Sequence, residues 1–208
     1  MTFIGNVKKF KDYKKIDVED YNNKNENSDE VFDKSYNRNH SKIDNTIKAI
    51  IVGTYTPFKG RENGYFYSSP TNSMYEILDT YFGNSQFVKL KQELSKKPKD
   101  NAIINSIKDE LYKHHIALLD VVDCAVSSKV SASDDSISCF NLDYYSFKSI
   151  PDDVVFICNS RNAESALKQI VKVNKLKNRI EYSPQILWKK KAVKQQIWSN
   201  VLKKCGVY

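Results

Sequence analysis

Four short segments with the character of buried strands constrain the fold of this chain more than any other feature of its sequence. They lie at residues 47–52, 116–122, 154–158 and 179–183, and the first three are nearly continuous apolar runs. Such runs are typical of strands covered on both faces, and parallel strands need crossover helices between them. The sequence therefore predicts an α/β protein, a three-layer α/β/α sandwich with a mainly parallel four-stranded sheet.

Apolar residues at helical spacing predict the helices that separate and follow these strands. Thr71 or Asn72 is the expected cap of the first helix. The Ser- and Asp-rich segment 123–138 is predicted to be irregular. The predicted helices cover residues 71–83, 87–95, 103–114, 163–173 and 191–204.

The first 45 residues differ in composition from the remainder, because polar residues dominate them and their aromatic residues are isolated. This composition predicts a partly ordered N-terminal extension, residues 1–45, with a short helix near residues 29–38. A single α/β domain, residues 46–208, would follow it.

Composition argues against several classes of protein. The chain has 208 residues and 40% hydrophobic content, enough for a core, but no apolar run reaches the length of a membrane span and residues 1–15 lack a secretory signal. Its four cysteines have no CxxC spacing, and neither GxGxxG nor GxxxxGK[ST] occurs. We therefore expect a cytoplasmic monomer that contacts no membrane and uses neither a metal ion nor a cofactor.

The net charge of +8 is concentrated near the C-terminal end. Residues 168–208 carry 11 Lys or Arg and one Asp or Glu, whereas the two signs nearly cancel in residues 1–167. A basic segment on an otherwise neutral protein is expected of a binder of the nucleic-acid backbone. A solvated lysine-rich helix face would give the same count, so charge alone leaves both interpretations open.

The loop after the first strand, residues 54–70, is the predicted binding pocket. Ligands of open α/β sheets bind outside the carboxyl ends of the strands, where this loop begins. Its ring side chains suit stacking on a flat ligand. They are Tyr55, Phe58, Tyr65, Phe66 and Tyr67.

Four motifs, in order along the chain, resemble those of the uracil-DNA glycosylase superfamily. The resemblance spans residues 48–202 and is nearest to the mismatch-specific and hypoxanthine-type DNA glycosylases. The motifs are GTYTP (53–57) with GYFYSSPTN (64–72), ALLDV (117–121) with the Ser- and Asp-rich segment 131–137, NSRNA (159–163), and SP (183–184) with Trp198.

This resemblance implies a monofunctional DNA glycosylase, a hydrolase acting on N-glycosidic bonds. Such an enzyme flips a deaminated or modified base out of DNA and excises it, leaving an abasic site. The implied partner is DNA. Because the pocket motifs differ from those suited to uracil, the target is either a base for repair or a hypermodified base of phage DNA, which would make the protein an antiviral defence enzyme.

The resemblance also implies a catalytic set of Tyr55, Asn72 and Asp120. Asn72 matches an asparagine of the family, and its amide can read a base or orient water. Tyr55 stands where related enzymes carry the Asn or Asp that positions the water, and a phenol is a poor base at neutral pH. Asp120, Asn72 or Glu62 would then handle the water.

Tyr67 matches the aromatic residue on which the family stacks the flipped base, although a core tyrosine would fit the same ring-rich segment. Thr54, Phe58 and Asn159 complete the implied base-binding set. The loop that begins at Ser183 would press into the duplex and fill the vacated stack. The implied DNA contacts are Lys59, Arg161, Ser183, Gln185, Ile186, Leu187, Trp188, Lys189, Lys190 and Lys191.

Two other functions remain open on the same residues. Tyr55 would suit a catalytically silent nucleic-acid-binding protein on the glycosylase scaffold. A nucleoside hydrolase that acts on small molecules would show no salt-sensitive affinity for DNA.

Overall fold

The computed structural model describes residues 30–34, 40, 42–56, 58–128, 137–183 and 191–208. The described strands are β1 (Glu30–Lys34), β2 (Ala49–Gly53), β3 (Ile116–Asp120), β4 (Val122–Ser128), β5 (Ile137–Leu142), β6 (Val155–Cys158) and β7 (Ile180–Tyr182). The described helices are α1 (Phe58–Asn63), α2 (Met74–Phe82), α3 (Phe87–Lys96), α4 (Asn101–Lys113), α5 (Arg161–Asn174) and α6 (Lys191–Lys204).

The predicted parallel sheet is confirmed. Its strand order is β3-β2-β6-β7, and all neighbouring strands are parallel. The chain passes from β2 to β3 on one side of β2, and the next strand of this sheet, β6, lies on the other side of β2. The carboxyl end of β2 is therefore a topological switch point, where open α/β sheets bind ligands.

Alternation along β2 divides the core into two layers. Ala49 and Ile51 face a cluster that includes Leu78 of α2 and Leu202 of α6. Ile50 and Val52 face the opposite cluster, where α5 contributes Ala163, Ala166, Leu167 and Ile170. The sheet is therefore covered on both faces, as its continuous apolar runs predict.

The helices close to those predicted are confirmed, with ends that differ by a few residues. The cap of α2 is a difference in detail, because Ser73 occupies the N-cap position and makes no side-chain cap bond. Asn72 instead accepts a hydrogen bond from the backbone amide of Met74 through Oδ1 (2.9 Å). Asn72 thus satisfies one of the free amides of the first turn.

A second, antiparallel sheet with the order β1-β4-β5 was not predicted. The expectation of an irregular segment at 123–138 is wrong for residues 123–128 and 137–138, which lie in β4 and β5. The helix expected near residues 29–38 is also wrong, because Glu30–Lys34 is a strand paired with β4. Backbone pairing between distant segments supplies the hydrogen bonds here, and it overrides local composition.

Two further observations concern the described part of the chain. Its helices include none with both the length and the apolar character needed to cross a bilayer. Within the same residues, no group of three or more His, Cys, Asp or Glu is arranged as metal ligands would be.

Candidate active site

One row of residues crosses the carboxyl edge of the parallel sheet. Gly53 pairs with Asp120 at the ends of β2 and β3. Asn159 follows the Val52–Cys158 pair by one residue, and Ser183 follows the Cys158–Tyr182 pair by one residue. Backbone bonds continue the ladder there, from Asn159 N to Val52 O (3.0 Å) and from Ser183 N to Cys158 O (2.9 Å). We call Asp120, Gly53, Asn159 and Ser183, in their spatial order, the terminal row.

Asp120, Asn159 and Ser183 of the terminal row have side chains that are polar and buried. The exposed fraction is 2% for Asp120, 4% for Asn159 and 0% for Ser183. Strand alternation places all of them on the face of the sheet that α2 and α6 cover. Buried polar groups need hydrogen-bond partners, so the partner of each of these side chains has to be identified.

Gly53 makes room for its neighbours. A Cβ on Gly53 would lie 2.4 Å from Oδ1 of Asp120 and 2.9 Å from the hydroxyl oxygen of Tyr67. Both distances are too short for a side chain to coexist with these atoms. The glycine therefore lets the carboxylate and the phenol approach the same point above the sheet.

Asp120 is held by a residue from the loop after β2. Thr56 Oγ1 donates a hydrogen bond to Asp120 Oδ2 (2.8 Å), and Thr56 is itself buried. A hydroxyl donor stabilises a carboxylate away from water. The backbone fixes the same two segments, through Val121 N to Gly53 O and Val122 N to Thr54 O.

Tyr67 reaches the terminal row from the loop between α1 and α2. Asn159 Nδ2 donates a hydrogen bond to the hydroxyl oxygen of Tyr67 (2.9 Å). Tyr67 has a φ of 52°, a left-handed conformation that residues other than glycine adopt at a cost. The surrounding contacts must therefore impose this conformation, which aims the side chain at the sheet.

Loop 64–73, which carries Tyr67, is held by side chains at several points. Asn63 Nδ2 donates to the carbonyl of Ser68 (2.7 Å), and Tyr75 donates its hydroxyl hydrogen to the carbonyl of Phe66 (2.7 Å). Lys91, only 5% exposed, donates from Nζ to the carbonyls of Pro70 and Asn72 and to Glu76 Oε1. These contacts make the loop a fixed part of the site.

The turn between β6 and α5 is the next component of this edge. The hydroxyl groups of Thr54 and Ser160 share a hydrogen bond (2.9 Å), and Ser160 Oγ also accepts from Ala163 N as the N-cap of α5. Arg161 is mostly exposed and lies over the ring of Tyr182 at 3.8 Å. Its guanidinium also pairs with Glu164 (2.6 Å).

Burial and neighbouring charges shift two pKa values around this turn. Burial raises the pKa of Glu164, but hydrogen bonds and salt bridges from Lys168 and Arg161 outweigh burial and lower it overall. Burial raises the pKa of the Cys158 thiol to about 12. Cys158 therefore stays a neutral thiol at physiological pH and is no nucleophile for this site.

The predicted site residues divide into groups. Thr54, Tyr67, Asp120, Asn159 and Ser183 meet at the carboxyl edge, as the preceding contacts describe. Asn72 lies in the same loop as Tyr67. Tyr55 is 7% exposed and packs in the cluster shared with α5, with the guanidinium of Arg61 4.8 Å from its ring centre. Glu62 is exposed on α1.

Several predicted DNA-contacting or base-binding residues have side chains that the structure does not describe. Phe58 and Lys59 lie in α1 and Lys191 begins α6, but the structure describes only their backbone. The loop residues outside the described ranges are Gln185, Ile186, Leu187, Trp188, Lys189 and Lys190. Their contacts with DNA stay predictions.

Sequence reasoning missed Thr56, Ser160 and Lys91. A single hydroxyl in a loop does not reveal a carboxylate 64 positions later, as with Thr56 and Asp120. Ser160 carried a usable signal, since Ser before a helix is a common N-cap. Lys91 had none, because a lysine on an amphipathic helix is usually exposed.

The fold and the terminal row define an α/β protein with a polar site at the switch point of its parallel sheet. Among solved structures, the chain is similar to the solution NMR structure of a "putative Uracil DNA glycosylase" from Methanosarcina acetivorans, with a TM-score of 0.54 and 14% sequence identity. The match covers 85% of this chain and 99% of that chain. At this identity the likeness shows a shared fold.

Neither of the two sequence comparisons extends this result. No protein-family model matches the chain. No curated protein matches it either.

Proposed function

We propose that this protein is a DNA glycosylase that hydrolyses the bond between deoxyribose and a deaminated or otherwise modified base, leaving an abasic site. The terminal row is the observation that carries the proposal, because it places a buried carboxylate and an amide at a ligand-binding edge, where the phenol of Tyr67 meets them. The shared fold with a protein named for the same reaction class supports it.

Base recognition would use Asn159 and Tyr67. A base inside a duplex is out of reach of a protein pocket, so the nucleotide must leave the stack. Nδ2 of Asn159 is engaged by Tyr67, which leaves Oδ1 to accept a hydrogen bond from the base. The ring of Tyr67 offers a surface on which the base can stack.

Asp120 would act on the sugar and the water. In the reaction the water oxygen bonds to C1′, the C1′–N bond breaks, and its electron pair leaves with the base. The sugar becomes cationic on the way, and a carboxylate held in a water-poor site stabilises that charge and orients the attacking water. The water proton passes to the departing base directly or through this carboxylate, and Thr56 keeps the carboxylate in place.

The grip on DNA would come from residues around the same edge. Arg161 begins α5 there and is exposed, so its guanidinium can contact a phosphate. Lys59 and the loop from Gln185 to Lys191 are the other proposed contacts. The charge of residues 168–208, 11 Lys or Arg against one acidic residue, fits an electrostatic contribution to DNA affinity.

The direct test is incubation with oligonucleotides that contain uracil, hypoxanthine, xanthine or modified cytosines, followed by alkali. Strand scission at the modified position is the expected result. The modified cytosines test the phage-defence variant, and uracil, hypoxanthine and xanthine test the repair variant. Failure to cleave any of these substrates would contradict the proposal.

A catalytically silent DNA-binding protein is the second candidate. Tyr55 favours it, because it is 7% exposed, packs in the core cluster shared with α5, and carries a phenol, which is a poor base at neutral pH. The variants Asp120→Asn and Asn72→Ala separate the two. A glycosylase loses about 10²–10⁴-fold in turnover while it keeps its DNA affinity, whereas a silent binder has no turnover to lose.

A further inference from the structure

We infer that Ser183 contacts the flipped base beside Asn159, as a specificity-determining residue of the pocket, and does not bind a DNA phosphate. This inference rests on the proposed function. It reverses the role that the family resemblance implies for Ser183, which was a contact with DNA in the loop that presses into the duplex.

Burial is the first argument. Ser183 has no exposed surface, so a group must enter the site to reach its hydroxyl; a flipped base leaves the duplex and can do so, whereas a phosphate stays on the outside of the duplex. The backbone amide of Ser183 is bonded to Cys158 O and so ties the residue to the sheet. A residue in this place belongs to the floor of the site.

The second argument is that two buried polar atoms of the terminal row lack hydrogen-bond partners within the described residues. Oγ of Ser183 and Oδ1 of Asn159 are both buried and have no hydrogen-bond partner within the described part of the chain. Native proteins pair nearly all such atoms, and exceptions cluster at sites where a ligand supplies the partner. Two unmet groups in neighbouring positions of the terminal row point to one ligand that satisfies both.

Strand register supplies the third argument. Cys158 pairs with Tyr182, so Asn159 and Ser183 follow as the next positions of adjacent parallel strands. Side chains at matched positions of neighbouring strands lie on the same face about 5 Å apart. A planar base can span this separation along one edge.

The chemistry of the two groups defines the ligand. The bond from Nδ2 to Tyr67 fixes the Asn159 amide with its oxygen as an acceptor. The hydroxyl of Ser183 either donates or accepts. The ligand is therefore a nucleobase that presents an N–H to Asn159 and a neighbouring polar atom to Ser183.

The experiment compares Ser183→Ala with two matched serine variants. Ser68→Ala removes an equally buried hydroxyl that is bonded to the carbonyls of Tyr65 (2.6 Å) and Gly60 (3.1 Å). Ser106→Ala removes an exposed hydroxyl on α4. The measurements are the melting temperature, binding of free uracil and free hypoxanthine by calorimetry, and affinity for unmodified DNA.

The inference expects Ser183→Ala to weaken binding of the free bases about tenfold, the size of one hydrogen bond. Its melting temperature stays unchanged or rises, because the lost hydroxyl had no partner, whereas Ser68→Ala melts several degrees lower. Ser106→Ala binds as the parent protein does. The analogues 3-methyluracil and 1-methylhypoxanthine, which lack the N–H, bind more weakly than the parent bases.

Three results would overturn the inference. They are unchanged base binding in Ser183→Ala, a melting temperature lowered as in Ser68→Ala, and an equal loss of affinity for all DNA with base binding intact. If free bases bind through Ser183 but no base is released from DNA, the proposed function fails while the base-binding role of Ser183 stands. If bases are released with no dependence on Ser183, the inference fails alone, and a parent protein that neither binds nor releases a base overturns both.

Discussion

Asn159, at the end of β6, donates a hydrogen bond of 2.9 Å to the hydroxyl of Tyr67, which lies 92 positions earlier in the chain. This bond joins loop 64–73 to the parallel sheet and determines which atom of the amide stays available. Because the amide has a donor end and an acceptor end, its orientation would decide which base edges it can bind in the proposed function.

Replacing Tyr67 with Phe keeps the ring and removes this bond. We expect the free energy of unfolding to fall by about 1–2 kcal/mol and discrimination among bases to fall about tenfold, because Asn159 loses its fixed orientation. Stacking should persist, so Tyr67→Leu should lose more activity than Tyr67→Phe. Urea unfolding and excision rates on two modified bases measure both effects.

Tyr112→Phe is the matched control for that variant. It removes a phenol hydrogen bond to Asp44 (3.1 Å), away from the terminal row. Its excision rates should equal those of the parent protein. Equal base discrimination in the parent and Tyr67→Phe would show that the Asn159 amide is oriented by other contacts.

Gly53→Ala should damage the site directly. The new methyl group would overlap Asp120 and the Tyr67 hydroxyl, so we expect about 1–3 kcal/mol of destabilisation and a loss of activity near 100-fold. The control is Gly83→Ala, where no atom lies within 4 Å but φ is +75°. That control should lose about 1–2 kcal/mol from backbone strain alone and keep its activity. Similar activity in both variants would argue against crowding at Gly53.

Lys91→Met should loosen loop 64–73. The substitution leaves the carbonyls of Pro70 and Asn72 without their charged donor, so we expect about 2–3 kcal/mol of destabilisation and weaker excision. Lys89→Met, at an exposed position of the same helix, should change stability by less than about 0.5 kcal/mol. Denaturant unfolding of the two variants tests this contrast. Equal stabilities would show that the hydrogen bonds from Lys91 do not stabilise loop 64–73.

His114 predicts a dependence of stability on pH. Burial lowers its pKa below the ordinary value of 6.5, although the hydrogen bond that the ring makes to the Glu110 carboxylate opposes the shift. The folded protein therefore binds this proton less readily than the unfolded chain, so its contribution to stability is complete above pH 6.5 and is lost as the pH falls below that value.

Unfolding measured between pH 8 and pH 5.5 checks this expectation. His114→Gln should show a shallower decline than the parent protein. A parent-like slope in His114→Gln would assign the decline to other groups.

The parallel sheet was predictable because its strands are buried on both faces and carry apolar residues without interruption. Consecutive buried residues such as Ile50 and Ile51 favour a strand that is covered on both faces. The antiparallel sheet was not predictable in this way. The sequence EVFDK of β1 lies in a polar segment, and only its pairing with β4 makes it a strand.

The candidate site shows the same division. Asp120 and Asn159 could be identified because each ends or follows an apolar strand, where polar side chains collect at one edge. The partnership of Thr56 with Asp120, and of Tyr67 with Asn159, depends on how separate segments meet. Gly53 was visible as the end of a strand, but the two atoms that fill the space above it were not.

The passage from β3 to β4 through the single residue Val121 has a mechanical consequence. Val121 N and Val122 N are bonded to Gly53 O and Thr54 O before the chain leaves for the antiparallel sheet. Asp120 is thus fixed against the end of β2 by the two backbone bonds that follow it in the chain. The second sheet reaches the same place, because Asp143 N bonds to Val121 O and Ile137 and Phe140 pack in one core cluster with Val52, so a shift of this sheet would be transmitted to the carboxylate.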